Sequence, residues 1–253
     1  MIPDMNTPIF PSDSGANATA ADLEHAMLAQ ANPADAKILM SFFKTGKGQY
    51  GEGDRFLGIR NPLTRRTAKA FRGLPVREAV RAAHSEWHEI RLCALLILAD
   101  KYQSKPTEET ERAAIFEQYA RLARGGFVNN WDLVDLTAPD ITGAYAFEHG
   151  ADTLERFAAS GHLWEERIAV LSMFPFIRAK QLEVPFRMVD RFLPHPHDLM
   201  HKACGWMLRE IGKRDRAALT AYLEKNKAVM PRTTLRYAIE HYSEPERKAF
   251  LAR

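Results

Sequence analysis

Apolar positions recur every three to four residues along almost the whole chain, in blocks separated by a few polar residues, Gly or Pro. That period sets one face of a helix against a core. It predicts helices near 19–30, 33–44, 62–72, 75–83, 86–103, 107–124, 131–148, 151–159, 163–178, 181–193, 197–212, 215–228 and 231–242. Asn61-Pro62 reads as an N-cap followed by Pro at the first helical position. Thr107, with acidic residues behind it, reads as the cap of a long helix. Ser243-Glu244-Pro245 opens a last short turn. No convincing period-2 segment appears, so the expected fold is all α.

Three helices look related. Glu89-Ile90-Arg91-Leu92-Cys93-Ala94-Leu95-Leu96 resembles Glu165-Glu166-Arg167-Ile168-Ala169-Val170-Leu171-Ser172, with a weaker echo in His201-Lys202-Ala203-Cys204-Gly205-Trp206-Met207-Leu208. Aligning Arg91, Arg167 and Lys202 separates them by 76 and 35 residues, and 76 is twice 38. Roughly 35–40 residues is the period of a two-helix, HEAT-type repeat. Stacked pairs make a solenoid with a concave face, and one basic residue per repeat would line that face with positive charge. A plain helical bundle with coincidental spacing is the alternative.

Composition narrows the picture. The 253 residues carry a net charge of +3 with 46% apolar residues, which suits one soluble domain with a sizeable core. No apolar run reaches the roughly 18–20 residues that span a bilayer. Residues 1–18, rich in Pro, Ser, Asn and Asp, read as a disordered lead-in, with Asp4 and Asp13 where a secretory signal would be basic or apolar. The folded domain is then 19–253. Cys93 and Cys204 each lie in an apolar helical pattern and read as core residues, with neither a disulfide framework nor a zinc site. A cytoplasmic location follows. From Pro196 onward there are 12 Lys and Arg against 7 Asp and Glu, and in the remainder 23 against 25. A basic C-terminal quarter fits a polyanion partner.

The long irregular segment Lys44 to Asn61 holds glycines 46, 48, 51, 53 and 58. It is no P-loop, because no Gly-Lys-Ser/Thr follows and no strand precedes. Its glycines allow either backbone amides approaching a phosphate or a mobile connector. His84 with His88, and His197 with His201, have metal-ligand spacing, but no H-E-x-x-H or completing ligand set accompanies them, so no metal is expected.

Three segments offer chemistry. In Gly125 to Tyr145, Trp131 and Asp135 are four apart and share a helix face. An aromatic plane beside a carboxylate suits a cation, although a core Trp and a surface Asp would give the same pattern. In His162 to Arg178, Arg167 edges an apolar face with Trp164, Ile168 and Leu171, as a snorkelling Arg also would. In His197 to Arg214, Trp206 and Arg209 are three apart, and Lys202, Lys213 and Arg214 add charge.

The stretches FFKTGKGQYGEGDRFLGIRNP, HEIRLCALLILADKY, VNNWDLVDLTAPDITGAY, LWEERIAVLSMFPFIR and HKACGWMLREIGKRD together resemble the AlkD-type DNA alkylation repair family, the HEAT-like alkylpurine DNA glycosylases. They cover roughly residues 40–215 in family order. The resemblance implies hydrolysis of the N-glycosidic bond of cationic alkylated purines, of the 3-methyladenine and 7-methylguanine type, in double-stranded DNA. It puts the family's Trp-x-x-x-Asp pair on Trp131 and Asp135, its essential Arg on Arg167 and its DNA-facing Trp-x-x-Arg on Trp206 and Arg209. Phe42 stands where family members carry Tyr, which keeps stacking and loses a phenol hydrogen bond. Arg60, Arg91 and Lys202 complete the expected DNA contacts. No cofactor is implied, and a monomer is expected. The alternatives are a DNA-binding protein of the same fold without activity and a protein-binding scaffold whose Trp residues anchor a partner.

Overall fold

The computed structural model describes residues 17–252, so the lead-in read over residues 1–18 falls almost wholly outside it. Among the described residues every regular element is a helix, and the β-type pairing is an isolated bridge between Arg55 and Trp87. The fold is all α, as the 3.6-residue period requires. Two compact units divide the chain after Thr137.

The first unit contains α1 (Ala20–Leu28), α2 (Pro33–Phe42), α3 (Asn61–Ala70), α4 (Val76–Ala82), α5 (His88–Gln103), α6 (Glu109–Arg124) and α7 (Trp131–Asp135). Its centre is α5, which buries most of its circumference, from His88 through Tyr102. That is the expected place for a helix apolar on nearly every side. It packs against α1, α3, α4, α6 and α7. Each fully buried Leu or Ile on it, such as Leu95, Ile97 and Leu98, contributes roughly 1.5–3 kcal/mol.

Two predicted caps moved. Arg60, not Asn61, is the N-cap of α3, and Asn61 instead accepts from Arg65 Nε at 3.1 Å. Thr107 does not cap α6; its hydroxyl donates to the Lys101 carbonyl at 2.7 Å and closes the end of α5. Thr107 thus satisfies a carbonyl of the last turn of α5, while Asn61 is taken up by a side chain four residues on.

The glycine-rich segment before α3 is held by contacts of its own. Gly58 has φ +85°, and a Cβ there would lie 2.0 Å from the Asn32 carbonyl oxygen. Only glycine fits both demands.

The second unit runs through a π-turn (Pro139–Gly143), α8 (Ala144–His149), a 3₁₀ turn (Ala151–Leu154), α9 (Glu155–Ala158), α10 (Leu163–Leu171), α11 (Phe174–Arg178), α12 (Glu183–Phe192), α13 (Asp198–Arg214), α14 (Arg216–Asn226), α15 (Arg232–Ala238) and α16 (Glu244–Leu251). Its hub is α13, packed against α10, α11, α12, α14 and α15. Gly205 permits the close approach of α15, since a Cβ would lie 2.6 Å from the Thr234 carbonyl oxygen. The short turn expected to open at Ser243 is the start of α16, where Ser243 and Glu246 form a capping box. Cys93 and Cys204 are both buried and unpaired, and burial raises both thiols, Cys204 to about 12.

Two long predicted helices are broken by proline. Over 131–148, Pro139 cannot donate to the preceding turn. The chain answers with the π-turn, in which Gly143 N donates to Ala138 O five residues back at 2.8 Å. Over 163–178, Pro175 sits in the first turn of α11 and separates it from α10.

Candidate active site

Trp131 is the first residue of α7, capped by the buried Asn130, whose Oδ1 accepts from Trp131 N at 2.9 Å. Its indole does not stand alone. Phe43 stacks on it with centroids 5.1 Å apart and planes 13° apart; Phe56 stacks on Phe43 at 5.0 Å; the His88 imidazole stacks on Phe56 at 4.3 Å. Four rings, each stacked on the next, thus run from the interior to Trp131, with Phe43 also meeting His88 at a 42° tilt. Phe42 closes the outer end edge-on, 5.9 Å from the indole at 77°. Offset-stacked and edge-on pairs are the favoured aromatic geometries. Phe42 and Phe43 are consecutive at the end of α2, about 100° apart on a helix, so Phe43 is buried while Phe42 is 60% exposed.

The inner end of the stack is ionic. His88 Nδ1 donates to Asp54 at 2.8 Å and Nε2 donates to Asp132 at 2.9 Å. Burial alone would push the imidazole pKa down; Asp132 first and then Asp54 outweigh it and raise it to about 9. The ring is therefore an imidazolium at neutral pH, and both nitrogens donate. Burial also opposes ionisation of Asp54, but the bonds from His88 and Arg91 hold its carboxyl below the usual range. Glu89, next in sequence, accepts from the backbone amides of Leu57, Gly58 and Ile59 at 2.9, 2.8 and 3.1 Å. The amides of the glycine-rich segment thus hold the protein's own carboxylate, which excludes the phosphate-cradle reading at these positions.

Beside this stack lies a cavity of about 210 Å³ lined mainly by apolar side chains, with Phe42, Arg60, Trp131, His88, Glu89 and Asp132 on its wall. Three expected site residues, Trp131, Phe42 and Arg60, therefore come together. Arg60 is bidentate to Asp35, with Nη2 at 2.8 Å and Nε at 3.2 Å. Asp135 ends α7, partly exposed, four residues from Trp131. Its charge also reaches the interior. Burial foremost raises the Tyr119 phenol, a bond to Thr137 opposes, and Asp135 adds to the rise.

Two expected surface cations are corrected. Arg91 is only 4% exposed; its guanidinium donates to Asp54, to Asn129 at 3.1 Å, and to the Ser85 and Glu86 carbonyls. Arg167 in the second unit is equally buried and donates to the Leu199 carbonyl in the first turn of α13. Both were expected on an open positive strip. An ionised group loses too much hydration to be buried without partners, so each of these is an internal clamp. The Glu-x-Arg likeness of α5 and α10 survives in a different form, because Glu89 and Glu165 are buried along with Arg91 and Arg167.

On α13, Lys202 pairs with Asp198 at 2.8 Å and Arg209 pairs with Glu240. Trp206 donates from Nε1 to Glu210 at 3.2 Å and meets Phe174 edge-on. The histidine pairs with metal-like spacing are engaged elsewhere. His84 bonds the Val80 carbonyl; His201 bonds the His195 carbonyl. His197 caps α13, its Nδ1 accepting from Leu199 N at 3.1 Å. Burial first, then His195, lowers its pKa, which keeps that nitrogen a lone-pair acceptor.

The sequence profile of the DNA alkylation repair enzyme family matches residues 23–242. The chain belongs to that family. Its members' role in DNA repair is thereby this chain's role at the level of the family. No curated protein matches the sequence. A solved structure from Enterococcus faecalis, named as a predicted DNA alkylation repair enzyme, superposes with a TM-score of 0.66 over 85% of this chain and 98% of that one. The two are 16% identical, so this likeness establishes the fold alone. No helix among the described residues is long and apolar enough to cross a membrane.

Asp54, His88 and Asp132 were not among the residues expected to matter. Asp132 lies between Trp131 and Asp135, yet nothing in its spacing distinguishes a buried carboxylate from a solvated one. His88 carried a signal in its four-residue spacing from His84, but that signal pointed to a metal rather than to two carboxylates.

Proposed function

We propose that this family member is an alkylpurine DNA glycosylase acting on duplex DNA. The observation that carries the reading is one short helix, α7, presenting a stacked indole at its first residue and a partly exposed carboxylate at its last. A π face and an anion in that relation suit a cationic purine and the cationic sugar its departure leaves.

An N3- or N7-alkylated purine carries a positive charge and is already a good leaving group. When the N9–C1′ bond breaks, its electron pair goes to the base and cancels that charge. The positive charge passes to C1′ and the ring oxygen. Asp135 stabilises that oxocarbenium-like centre and takes a proton from the water that adds to C1′. At about 4 Å and an effective dielectric of about 20, a carboxylate is worth at most roughly 4 kcal/mol to a unit charge. That is on the order of a thousandfold in rate, enough for a labile cationic lesion and too little for a normal purine. Charge on the lesion thus provides part of the specificity.

Trp131 packs on the deoxyribose and lesion, with Phe42 beside it. Arg60, Lys202 and Arg209 reach phosphates by exchanging their carboxylate partners, and exposed pairs of this kind cost only about 0–1 kcal/mol to release. Trp206 contributes packing against DNA from α13. Arg167 is assigned a positioning role, since it anchors the start of the helix that carries Trp206 and Arg209. The resident groups need no cofactor for this chemistry.

The test is release of 7-methylguanine from duplex DNA, resolved from the oligonucleotide by chromatography. Free base and an abasic strand are the expected products. Tight DNA binding with no base released would leave a non-catalytic DNA-binding protein, and binding to neither duplex would remove the reading altogether.

A further inference from the structure

Helix α3 is the most one-sidedly charged element of the first unit. Residues 60–72 carry Arg60, Arg65, Arg66, Lys69 and Arg72 and no Asp or Glu. Arg65, Arg66, Lys69 and Arg72 are all exposed, and among the described residues no ion pair holds any of these four. The contrast with the cations considered above is sharp, because Arg60, Arg91, Lys202 and Arg209 each already have a carboxylate.

Three of these charges form one row. Arg65 and Lys69 are i, i+4 on one face of α3, and Arg72 follows in the turn just after the helix end. They line a shallow groove of about 290 Å³ beside α5, with Leu96 and the exposed Asp100 on its other side. The N-terminal end of the same helix, Arg60 and Asn61, borders the cavity that Trp131 lines. At 1.5 Å per residue the row lies within about 18 Å of that end.

We infer that the Arg65–Lys69–Arg72 row is a docking surface for the phosphate backbone of duplex DNA flanking the lesion held at Trp131. The inference rests on the function proposed above and adds to it where the backbone is gripped. The row is about 10 Å long, and a strand presents one phosphate per roughly 3.4 Å of duplex axis, so two or three phosphates fit it. Unpaired cations need no prior exchange of partners, so this row supplies a larger share of backbone attraction than the carboxylate-paired cations of α13. Asp100 tempers it from within the groove.

The test measures fluorescence-anisotropy binding to undamaged and 7-methylguanine-bearing duplexes across a salt series. Each phosphate contact contributes about −0.9 to the slope of log K against log salt. Arg65→Gln/Lys69→Gln/Arg72→Gln should make that slope shallower by about 2–3 and weaken both duplexes alike, by tenfold or more at low salt. Asp100→Asn should bind a few-fold more tightly, a gain that a folding defect cannot imitate. An unchanged slope in the triple variant overturns the inference, as does weaker binding by Asp100→Asn. Poly-glutamate that competes as well as duplex of equal charge would assign the row to acidic proteins and overturn it too. Wild-type protein that binds no duplex would sink the proposed function first; wild type that binds with an unaffected triple variant sinks only this inference.

Discussion

His88 donates from Nε2 to Oδ2 of Asp132 at 2.9 Å, and Asp132 is the residue immediately after Trp131. The buried imidazolium thereby ties α5 to α7, while its ring ends the stack that supports the indole. The geometry at Trp131 therefore depends on a charge that lies well inside the unit.

That dependence predicts a pH profile for stability. The folded pKa of His88 is about 9, above its ordinary 6.5. A raised histidine pKa stabilises fully below about pH 6.5, and the contribution is lost as pH rises through about 9. The difference corresponds to about 3 kcal/mol at most. Asp54 works in the other direction: its lowered pKa stabilises above the ordinary carboxylate value and fails as pH falls below it. Thermal melts should show a plateau between roughly pH 5 and 6.5 and a decline toward pH 9. His88→Gln should be less stable at pH 6 and should flatten the alkaline decline; a variant melting curve parallel to wild type across pH 6–9 would contradict the assignment.

Asp135→Asn keeps the shape of the side chain and removes its charge. We expect 7-methylguanine release to slow by a factor of about 10² or more, with the roughly 4 kcal/mol estimate as the ceiling. DNA affinity should change little, because phosphate contacts come from other residues. Single-turnover excision by the variant at the wild-type rate would refute the mechanism and leave the fold untouched.

The two adjacent phenylalanines should separate stability from activity. Phe43 is buried between Trp131 and Phe56, so Phe43→Ala should cost about 3–5 kcal/mol in denaturant unfolding. Phe42 is mostly exposed and edge-on to Trp131, so Phe42→Ala should cost well under that and show its effect in base release instead. Equal loss of stability in both variants would mean that Phe42 is a core residue.

Gly58→Ala tests the segment that holds Glu89. Its φ of +85° disfavours any side chain, and the new Cβ would meet the Asn32 carbonyl oxygen. A loss of about 2 kcal/mol or more in unfolding free energy is expected, from strain and overpacking together. A neutral substitution would show that the segment yields without consequence.

Much of this molecule follows from local rules. The all-α class is written in the period of apolar positions, because burying one face of a helix needs only side chains three and four residues apart. The capping box at Ser243 and Glu246 and the shared face of Trp131 and Asp135 are equally local, since each is fixed within one or two helical turns. Tertiary structure decided what long-range neighbours do to a charge. Arg91 and Arg65 are both arginines in helices, and sequence alone gives no reason to bury one and expose the other. Arg91 turns inward because Asp54, 37 residues away in sequence, waits there with a carboxylate. Arg65 stays in water because the carboxylate across its groove, Asp100, is itself exposed and hydrated. The same holds for His88, whose proton is kept by Asp54 and Asp132 from opposite sides. Hydration of an ion is lost or kept according to what packs against it, and that is a property of the folded chain, not of its local pattern.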